Sequence, residues 1–289
     1  MKLPTIITLL GTLLWLPSAA TQAQSREASE KITRELTLTA DAGRSTLAVY
    51  NLFGSVSVQG YSGSKVLVEI TKTIRARNAA DLAQGQKEAQ PGFEQRGDSV
   101  VLYLQGPHDT RPRRQRNSGN HQLDYEFSFD YVVKVPAGMQ VDASTVNGGS
   151  VRVQDVTGLV KARNVNGPVA IVNAREATVA RTVNGDVSVS YAAVPRQAST
   201  YHTINGDITV SYPAGVAADV YFKSLHGELF TDFPQAEVLP ARVSQNEERG
   251  SAGTKYKLSK ETAVRLGKGG TDFRFETLNG NVTIKQLSR

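Results

Sequence analysis

The stretch ARTVNGDVSVSY (residues 180–191) returns almost letter for letter as YHTINGDITVSY (residues 201–212). A catalytic motif normally occurs once, whereas a phrase that recurs at a regular period describes a structural unit. Related phrases begin at residues 145, 164, 224 and 277, and a more distant copy, NLFGSVSV, occupies residues 51–58. The repetition therefore predicts an architecture of stacked units.

Each copy joins a turn signal to a strand signal. Asn-Gly tolerates positive φ and is a strong signal for a tight β turn. The predicted turn residues are Asn147, Gly148, Asn166, Gly167, Asn184, Gly185, Asn205, Gly206, Asn279 and Gly280. Apolar residues such as Val187 and Val189 follow the glycine at alternate positions, so they share one face of a strand. Aromatic residues recur at Tyr191, Tyr212 and Phe233, which predicts a stack of rings along neighbouring units.

One such unit of 18–21 residues cannot bury its apolar face alone, whereas a stack of units forms a continuous core. The sequence therefore predicts an all-β fold, a β-solenoid-like or β-roll-like stack of short strands with Asn-Gly turns and at most one short helix. Residues 24–122 form the predicted N-terminal β region, residues 123–289 the repeat-containing region, and we expect the two to be one continuous domain.

Period-two alternation also dominates outside the repeats. It predicts strands at residues 31–38, 45–60, 65–74 and 99–106, and a helix within residues 76–90. Residues 107–121 are polar and arginine-rich, which predicts a basic loop at the tip of a long hairpin. In the strand at 123–135 the aromatic residues alternate with polar ones. We interpret this stripe as a buried face rather than as a carbohydrate-binding platform, because large rings dominate core burial.

The first residues have the layout of a signal peptide. A lysine is followed by an apolar run from Ile6 to Leu16 and by small residues, so cleavage is expected after Ala23. A membrane anchor is the alternative, but the run is shorter than the roughly 20 apolar residues that span a bilayer. We expect an exported protein, periplasmic or at the cell surface, with no transmembrane segment after cleavage. The chain has no cysteine, which excludes disulfides and thiol chemistry.

A mild basic excess, with a formal net charge of +6, suggests a polyanionic partner. Nucleic acid is not expected, because its binding usually needs more concentrated charge. Acidic envelope glycans or polymers suit the charge better. Three residues before each turn Asn, or before His226, stand the residues of a predicted basic ladder: Arg163, Arg181, His202 and Lys223. Ordinary solvated charges are the alternative, and Glu276 breaks the pattern in the last copy. The loop arginines are the second candidate: Arg111, Arg113, Arg114 and Arg116.

The sequence contains few of the motifs that are typical of a catalytic site or a metal site. The four histidines lack metal-ligand spacing, and no nucleophile-elbow or phosphate-loop motif occurs. Only Asp186 and Asp207 follow the repeat glycine as aspartates, which argues against a repeated calcium site. Asp124, Glu126 and Asp130 could imitate the carboxylates of a β-helix polysaccharide lyase or hydrolase, but they alternate as an exposed strand face would. We therefore predict no catalytic residue, cofactor or metal.

The leader, the strand ending in VKVPAG (133–138) and the serial TVNGD units resemble the putative-adhesin family, a bacterial domain family of unknown function. The segment FRFETLNGNVTIKQ (273–286) resembles the usual end of that family. The resemblance implies an exported all-β solenoid or roll with an adhesin or envelope role, and it brings no catalytic residues. The basic loop, the histidine in SLHGEL and the insertion at 232–270 depart from the family pattern.

The expected function is a non-catalytic cell-envelope module that binds glycan, anionic polymer or protein through a rigid β surface. A periplasmic partner in envelope-stress signalling is the alternative, and a polysaccharide lyase or hydrolase is the less favoured one. The sequence predicts no oligomeric state.

Overall fold

The computed structural model describes residues 25–112, 123–250 and 253–287. The predicted signal peptide, residues 1–23, lies outside these ranges. The described strands are β1 Arg26–Thr37, β2 Thr46–Tyr50, β3 Val56–Tyr61, β4 Lys65–Ala76, β5 Gln90–Arg96, β6 Ser99–Gln105, β7 Tyr125–Pro136, β8 Gln140–Ser144, β9 Val151–Gln154, β10 Val160–Arg163, β11 Val169–Ala174, β12 Thr178–Arg181, β13 Val187–Tyr191, β14 Ser199–His202, β15 Ile208–Tyr212, β16 Ala218–Lys223, β17 Leu229–Thr231, β18 Ala236–Gly250, β19 Gly253–Leu266, β20 Thr271–Glu276 and β21 Val282–Gln286. A helix, α1 Ala79–Glu88, and a 3-10 turn, Ala42–Arg44, complete the described elements.

The strands form two large sheets that do not close into a barrel. Sheet A has ten strands in the order β1-β4-β7-β3-β9-β11-β13-β15-β21-β17. Sheet B has eleven in the order β18-β19-β16-β20-β14-β12-β10-β8-β2-β6-β5. The inward residues of both sheets belong to one continuous apolar cluster, because alternation turns every second side chain towards the opposite sheet. The predicted all-β class is confirmed.

The repeats supply the parallel centre of this arrangement. In each repeat a strand of sheet B leads through the Gly-containing corner into a strand of sheet A, and we call such a unit a rung. The seven rungs, in spatial order, are β2/β3, β8/β9, β10/β11, β12/β13, β14/β15, β20/β21 and β16/β17. The distant copy at 51–58 thus belongs to the first rung. Strands 45–60, expected as one, are two strands in different sheets, because the corner at Gly54 separates them.

The spatial order of the rungs departs from the chain order at one end. The last repeat in sequence, β20/β21, lies between β14/β15 and β16/β17. The insertion that delays this repeat forms the long hairpin β18–β19, whose second strand pairs antiparallel with β16. The chain then returns as β20 between β14 and β16, parallel to both. The penultimate repeat in sequence is therefore the terminal rung in space.

The corner glycines of neighbouring rungs lie in close backbone contact. A Cβ on Gly185 would stand 2.5 Å from the carbonyl oxygen of Gly167, and a Cβ on Gly206 would collide with that of Gly185. Gly185 and Gly206 both have a φ of +154°, which residues with a Cβ rarely adopt. Positive φ also occurs at the predicted turn residues Gly148, Gly167 and Gly280. The corners connect the two sheets, however, and are not hairpin turns.

The asparagines of the corners form a hydrogen-bonded ladder. Asn184 Nδ2 donates to Asn166 Oδ1 at 2.8 Å, and Asn205 Nδ2 donates to Asn184 Oδ1 at 2.7 Å. The same bond joins Asn166 to Asn147 and Asn279 to Asn205, and His226 Nδ1 lies 3.1 Å from Asn279 Oδ1 at the terminal rung. The repeated asparagine therefore bonds adjacent rungs to each other as well as suiting a turn.

A column of aromatic rings runs through the core, but its membership differs from the prediction. The rings of Tyr191 and Tyr212 stack with centroids 5.0 Å apart, as expected. The next ring beside Tyr212 is Phe273 of sheet B, also at 5.0 Å. Phe233, expected in this place, is displaced because β20/β21 lies between its rung and that of Tyr212. The Tyr201 hydroxyl bonds to both tyrosine hydroxyls, at 2.7 and 2.9 Å, so the buried oxygens are satisfied.

Two further expectations need correction. Residues 107–121 do not lie at the tip of a hairpin, because β6 before them belongs to sheet B and β7 after them to sheet A. Within this segment, residues 113–121 lie outside the described ranges. Strand β5 was missed, since its sequence QPGFEQR contains proline and glycine and follows directly on the helix. The aromatic stripe of β7 is buried, as predicted.

Candidate functional site

Arg163, Arg181, His202 and Lys223, which we call the basic column, lie on the outer face of sheet B. They end strands β10, β12, β14 and β16. Each follows a buried residue, because alternation along the strand turns neighbouring side chains to opposite faces. Arg163 pairs in register with Arg181, and Arg181 with His202. The structure therefore brings three of the four predicted residues into adjacent rungs.

Glu276 separates the fourth member from the others. Because β20 lies between β14 and β16, Glu276 is in register with His202 on one side and with Lys223 on the other. Its carboxylate lies 3.1 Å from Lys223 Nζ and 3.5 Å from His202 Nδ1. The sequence placed Glu276 beyond the column, whereas the structure places it inside, where it offsets repulsion between the cations.

Arg163 also has an acidic neighbour. Its guanidinium pairs with the carboxylate of Asp142 on β8. Both side chains are partly exposed, so the pair contributes little to stability and can exchange with an external anion. Arg181, exposed between Arg163 and His202, is the centre of the basic column.

Two further cations on the same face escaped the sequence reasoning. Lys161 and Arg274 are exposed and lie two residues before Arg163 and Glu276, so alternation directs them outward as well. Arg274 also lies over the Tyr221 ring, 5.8 Å from its centroid. The signal that could have revealed them is this two-residue offset. We call the basic column together with Lys161 and Arg274 the sheet B surface.

The outer face of sheet A differs in chemistry. At the positions across its parallel centre stand mostly small or uncharged residues: Ser57, Arg152, Ala170, Ser188, Thr209 and Thr283. Arg152 is the single cation of that register and donates to Gln154 at 3.1 Å. Lys285 on β21 is a further exposed cation of sheet A, so outward-facing cations are more numerous on sheet B but are not confined to it.

The second predicted basic feature is only partly described. Arg111 forms an ion pair with Asp109, with a shortest distance of 2.6 Å, and its guanidinium lies 4.5 Å from the centroid of the Tyr103 ring. The hydrogen bond to Asp109 raises the pKa of Arg111. Arg111 is therefore held against the protein rather than extended into solvent. The other predicted loop residues, Arg113, Arg114 and Arg116, lie outside the described residues.

The carboxylates that could imitate a catalytic cluster are either exposed or hydrogen-bonded to the backbone. Asp124 and Glu126 are exposed, and Asp130 Oδ1 accepts the backbone N–H of Ser55 at 2.8 Å. Asp186 and Asp207 likewise accept backbone N–H groups of the next rung, at 2.9 and 2.7 Å. Within the described ranges, no group of three or more His, Asp or Glu side chains is arranged to hold a metal ion.

No helix in the part of the chain that the structure describes is long and apolar enough to cross a membrane. Comparison with known families finds no family model that matches the chain, and no curated protein matches it either.

Similar solved structures include a putative cell adhesion protein from Clostridium sporogenes, with 11% identity and a TM-score of 0.46 over 90% of this chain and 100% of that one. A putative lipid binding protein from Parabacteroides distasonis has 8% identity and a TM-score of 0.34 over 89% and 97%. A putative adhesin from Bacteroides fragilis has 9% identity and a TM-score of 0.32 over 89% and 97%. Putative adhesins or cell adhesion proteins thus recur among these structures.

Proposed function

We propose that this protein is an exported, non-catalytic module of the cell envelope that binds an anionic polymer through the sheet B surface. Its scaffold is a β-solenoid-like stack in which residues 24–122 and 123–289 fold as one unit. The leader sequence supports export, and the geometry of the rungs supports the choice of the sheet B surface as the binding surface.

The observation that carries the proposal is the register of the basic residues. Arg163, Arg181 and His202 occupy equivalent positions on consecutive parallel strands, which are about 4.8 Å apart. A repeating polymer with acidic groups can contact several such rungs at once, and a rigid sheet loses little conformational entropy on binding.

The number of outward-facing cations favours sheet B over sheet A. The sheet B surface has five permanent cations: Lys161, Arg163, Arg181, Lys223 and Arg274. The same outer face carries four carboxylates, Asp142, Asp219, Asp272 and Glu276, of which Asp219 pairs with Arg265 of β19. These ion pairs are partly exposed and weak, so an incoming polyanion can compete for Arg163 and Lys223. Long-range attraction by the net positive face would accelerate association at low salt.

The test is retention of the protein, expressed from Gln24 onward, on an immobilised acidic polysaccharide, with a neutral polysaccharide of similar size beside it. We expect retention on the acidic polymer that weakens between about 50 and about 500 mM salt, because the Debye length shortens. The double variant Lys161→Glu/Arg181→Glu reverses two exposed charges and should reduce low-salt affinity at least about tenfold.

The double variant Arg152→Glu/Lys285→Glu on the outer face of sheet A is the matched control, because it also reverses two exposed charges. It should leave retention within about twofold of wild type. Equal losses for the two double variants would show that only net charge matters. Retention that is insensitive to salt, or absent, would contradict the proposal.

A further inference from the structure

A column of aliphatic side chains runs along the corner edge of the stack. The residue before each corner Asn, or before Phe53 and His226 in the variant copies, is aliphatic in every rung. Backbone hydrogen bonds place these residues side by side: Ile204 N donates to Val183 O, and Leu278 N donates to Ile204 O, both at 3.2 Å. All are at least partly exposed. In spatial order this aliphatic column consists of Leu52, Val146, Val165, Val183, Ile204, Leu278 and Leu225.

The exposure of the aliphatic column is greatest at the terminal rung. Val183 and Ile204 are partly buried, whereas Leu278 is 42% exposed and Leu225 is 67% exposed. The two leucines belong to adjoining corners, because His226 N donates to Leu278 O at 2.9 Å. Single apolar residues on a protein surface need no explanation, but adjacent ones indicate an interaction site. The aliphatic column therefore ends in an apolar surface that the fold itself does not use.

The basic column runs beside the aliphatic column. Arg181 and Val183 both face outward, because Thr182 between them is buried. The Thr182 hydroxyl donates to Gly167 O at 2.8 Å, which fixes this side chain inward. A step of two residues spans at most about 7 Å, so each cation lies close to an aliphatic side chain. The same offset relates His202 to Ile204 and Lys223 to Leu225.

The sheet A side of the corner has the opposite charge. Asp186, Asp207 and Glu228 follow the corner glycines and are exposed. Between the two sides stand exposed amides such as Asn184 and Asn205, whose nitrogens each have a second N–H that can donate to a phosphate oxygen. The edge is thus basic towards sheet B, aliphatic and amide-lined at the corner, and acidic towards sheet A. This asymmetry gives an anionic partner one preferred orientation.

We propose that this edge docks on the surface of an anionic lipid bilayer, with the basic column against the headgroups and with Leu225 and Leu278 among the upper parts of the acyl chains. The corner is an outer edge of the two-sheet stack, so a flat bilayer can reach the whole aliphatic column. Apolar side chains that enter the acyl boundary and cations that attract anionic lipids reinforce each other in such binding. The inference rests on the proposed function, because it needs an exported protein and the same basic column, but it does not need the polymer.

The first measurement is sedimentation of the protein, expressed from Gln24 onward, with lipid vesicles. One set of vesicles is pure phosphatidylcholine, and in the other about a third of the lipid is phosphatidylglycerol, which supplies the negative surface potential. We expect binding to the anionic vesicles that is at least about tenfold tighter than binding to phosphatidylcholine.

Two double variants separate insertion from charge. Leu225→Ser/Leu278→Ser should weaken binding to the anionic vesicles at least about tenfold, because neither side chain then gains from leaving water. Val132→Ser/Leu287→Ser is the matched control and should leave binding unchanged. It also removes two exposed apolar side chains, 49% and 39% exposed, but from β7 and from the end of β21 that is remote from the corner.

The second measurement places a fluorescent reporter at the edge. The single tryptophan of the chain, Trp15, lies in the predicted signal peptide, so the protein that starts at Gln24 has none. Leu225→Trp introduces one at the corner, where its emission should shift to shorter wavelength with anionic vesicles and should be quenched by brominated acyl chains. Val132→Trp on the outer face of sheet A is the control, and its emission should not change.

Absence of binding to anionic vesicles overturns the inference, as does binding that survives Leu225→Ser/Leu278→Ser undiminished. Equal responses of the two tryptophan variants would overturn it as well, because the corner would then not be the inserted surface. Loss of the two leucines should leave retention on the acidic polysaccharide unchanged. Polymer retention without vesicle binding would therefore contradict this inference alone, and vesicle binding without polymer retention would contradict only the proposed polymer.

Discussion

The two ends of the stack are completed in different ways. At the first rung, β7 extends sheet A parallel to β3 and is followed by the antiparallel strands β4 and β1, and β6 and β5 extend sheet B. Helix α1 packs against this end, with Gly85 so close to the Tyr125 ring that a Cβ would stand 2.7 Å from it. At the terminal rung, sheet A ends in the three residues of β17, and Leu225 and Phe230 are exposed. The first end is extended in both sheets, whereas the terminal end is open in sheet A only, because β19 and β18 extend sheet B beyond β16.

The difference shows what a repeat alone cannot provide. Every rung buries its faces against two neighbours, so the outermost rung always lacks one of them. The first end solves this with sequence that departs from the repeat, including the aromatic strand β7 and the helix. The terminal rung is itself a repeat, with the variant corner SLHGEL. Its sheet A strand, β17, therefore still has an edge to which a further strand could pair.

The largest contrast should appear when one apolar side chain is truncated at each end. Phe129 is fully buried on β7, and Phe129→Ala should lower the free energy of unfolding by about 3–5 kcal/mol, through lost burial and the cavity left behind. Leu229→Ala at the open end should cost about 1 kcal/mol or less, because the side chain is already half in water. Denaturant titration measures both. Equal losses would mean that the terminal rung is covered in solution.

Alanine substitutions of the corner glycines compare the stability of an interior rung with that of the terminal rung. Gly185→Ala should cost about 1–3 kcal/mol, because a Cβ meets Gly167 and the positive φ disfavours alanine. Gly227→Ala in the terminal rung also crowds its neighbour Gly280. Strand β17, which follows Gly227, is the last strand of sheet A and can move away, so we expect a smaller loss. Gly215→Ala, with open space around it, is the control. Thermal unfolding of the three variants measures these losses of stability. A Gly215→Ala variant that is destabilised as much as Gly185→Ala would contradict the prediction.

The smallest effect concerns a buried lysine at the covered end. Lys72 is 2% exposed on β4, and its Nζ donates to the backbone oxygen of Gln86 in the last turn of α1 at 2.7 Å. Burial lowers the pKa of Lys72 below its usual 10.5, although Glu30 opposes the shift. The unfolded chain therefore binds this proton more tightly, and the stability that Lys72 contributes rises with pH towards 10.5.

Lys72→Met removes that dependence, so the free energy of unfolding of wild type relative to the variant should increase between pH 7 and about pH 10. Lys285→Met, an exposed lysine near the open end, is the control. Urea titrations at several pH values provide the comparison. A difference that is flat with pH, or that falls, would show that Lys72 is not desolvated by the helix.

Much of the rung could be predicted because its causes are local. Asn184 and Gly185 occur where the chain must leave one sheet, and Val187 and Val189 alternate so that one face is buried. The basic column was also predictable, since Arg163 and Arg181 hold equivalent places in successive repeats. Lys161 and Arg274 were missed because the two strands between them carry Val179 and Thr200 at the same register position. The successive repeats therefore show no recurring basic residue at that position.

The sequence by itself determined the β class, the period of the rungs, the glycine corners and the face that each strand buries. These follow from dihedral preferences and from a two-residue alternation, both of which act within a few residues. Only the tertiary structure decided that β20/β21 lies between β14/β15 and β16/β17, that Glu276 therefore stands between His202 and Lys223, and that sheet A is open at one end of the stack. Parallel rungs offer each other the same backbone hydrogen bonds, so the choice of neighbour depends on the packing of residues far apart in the chain.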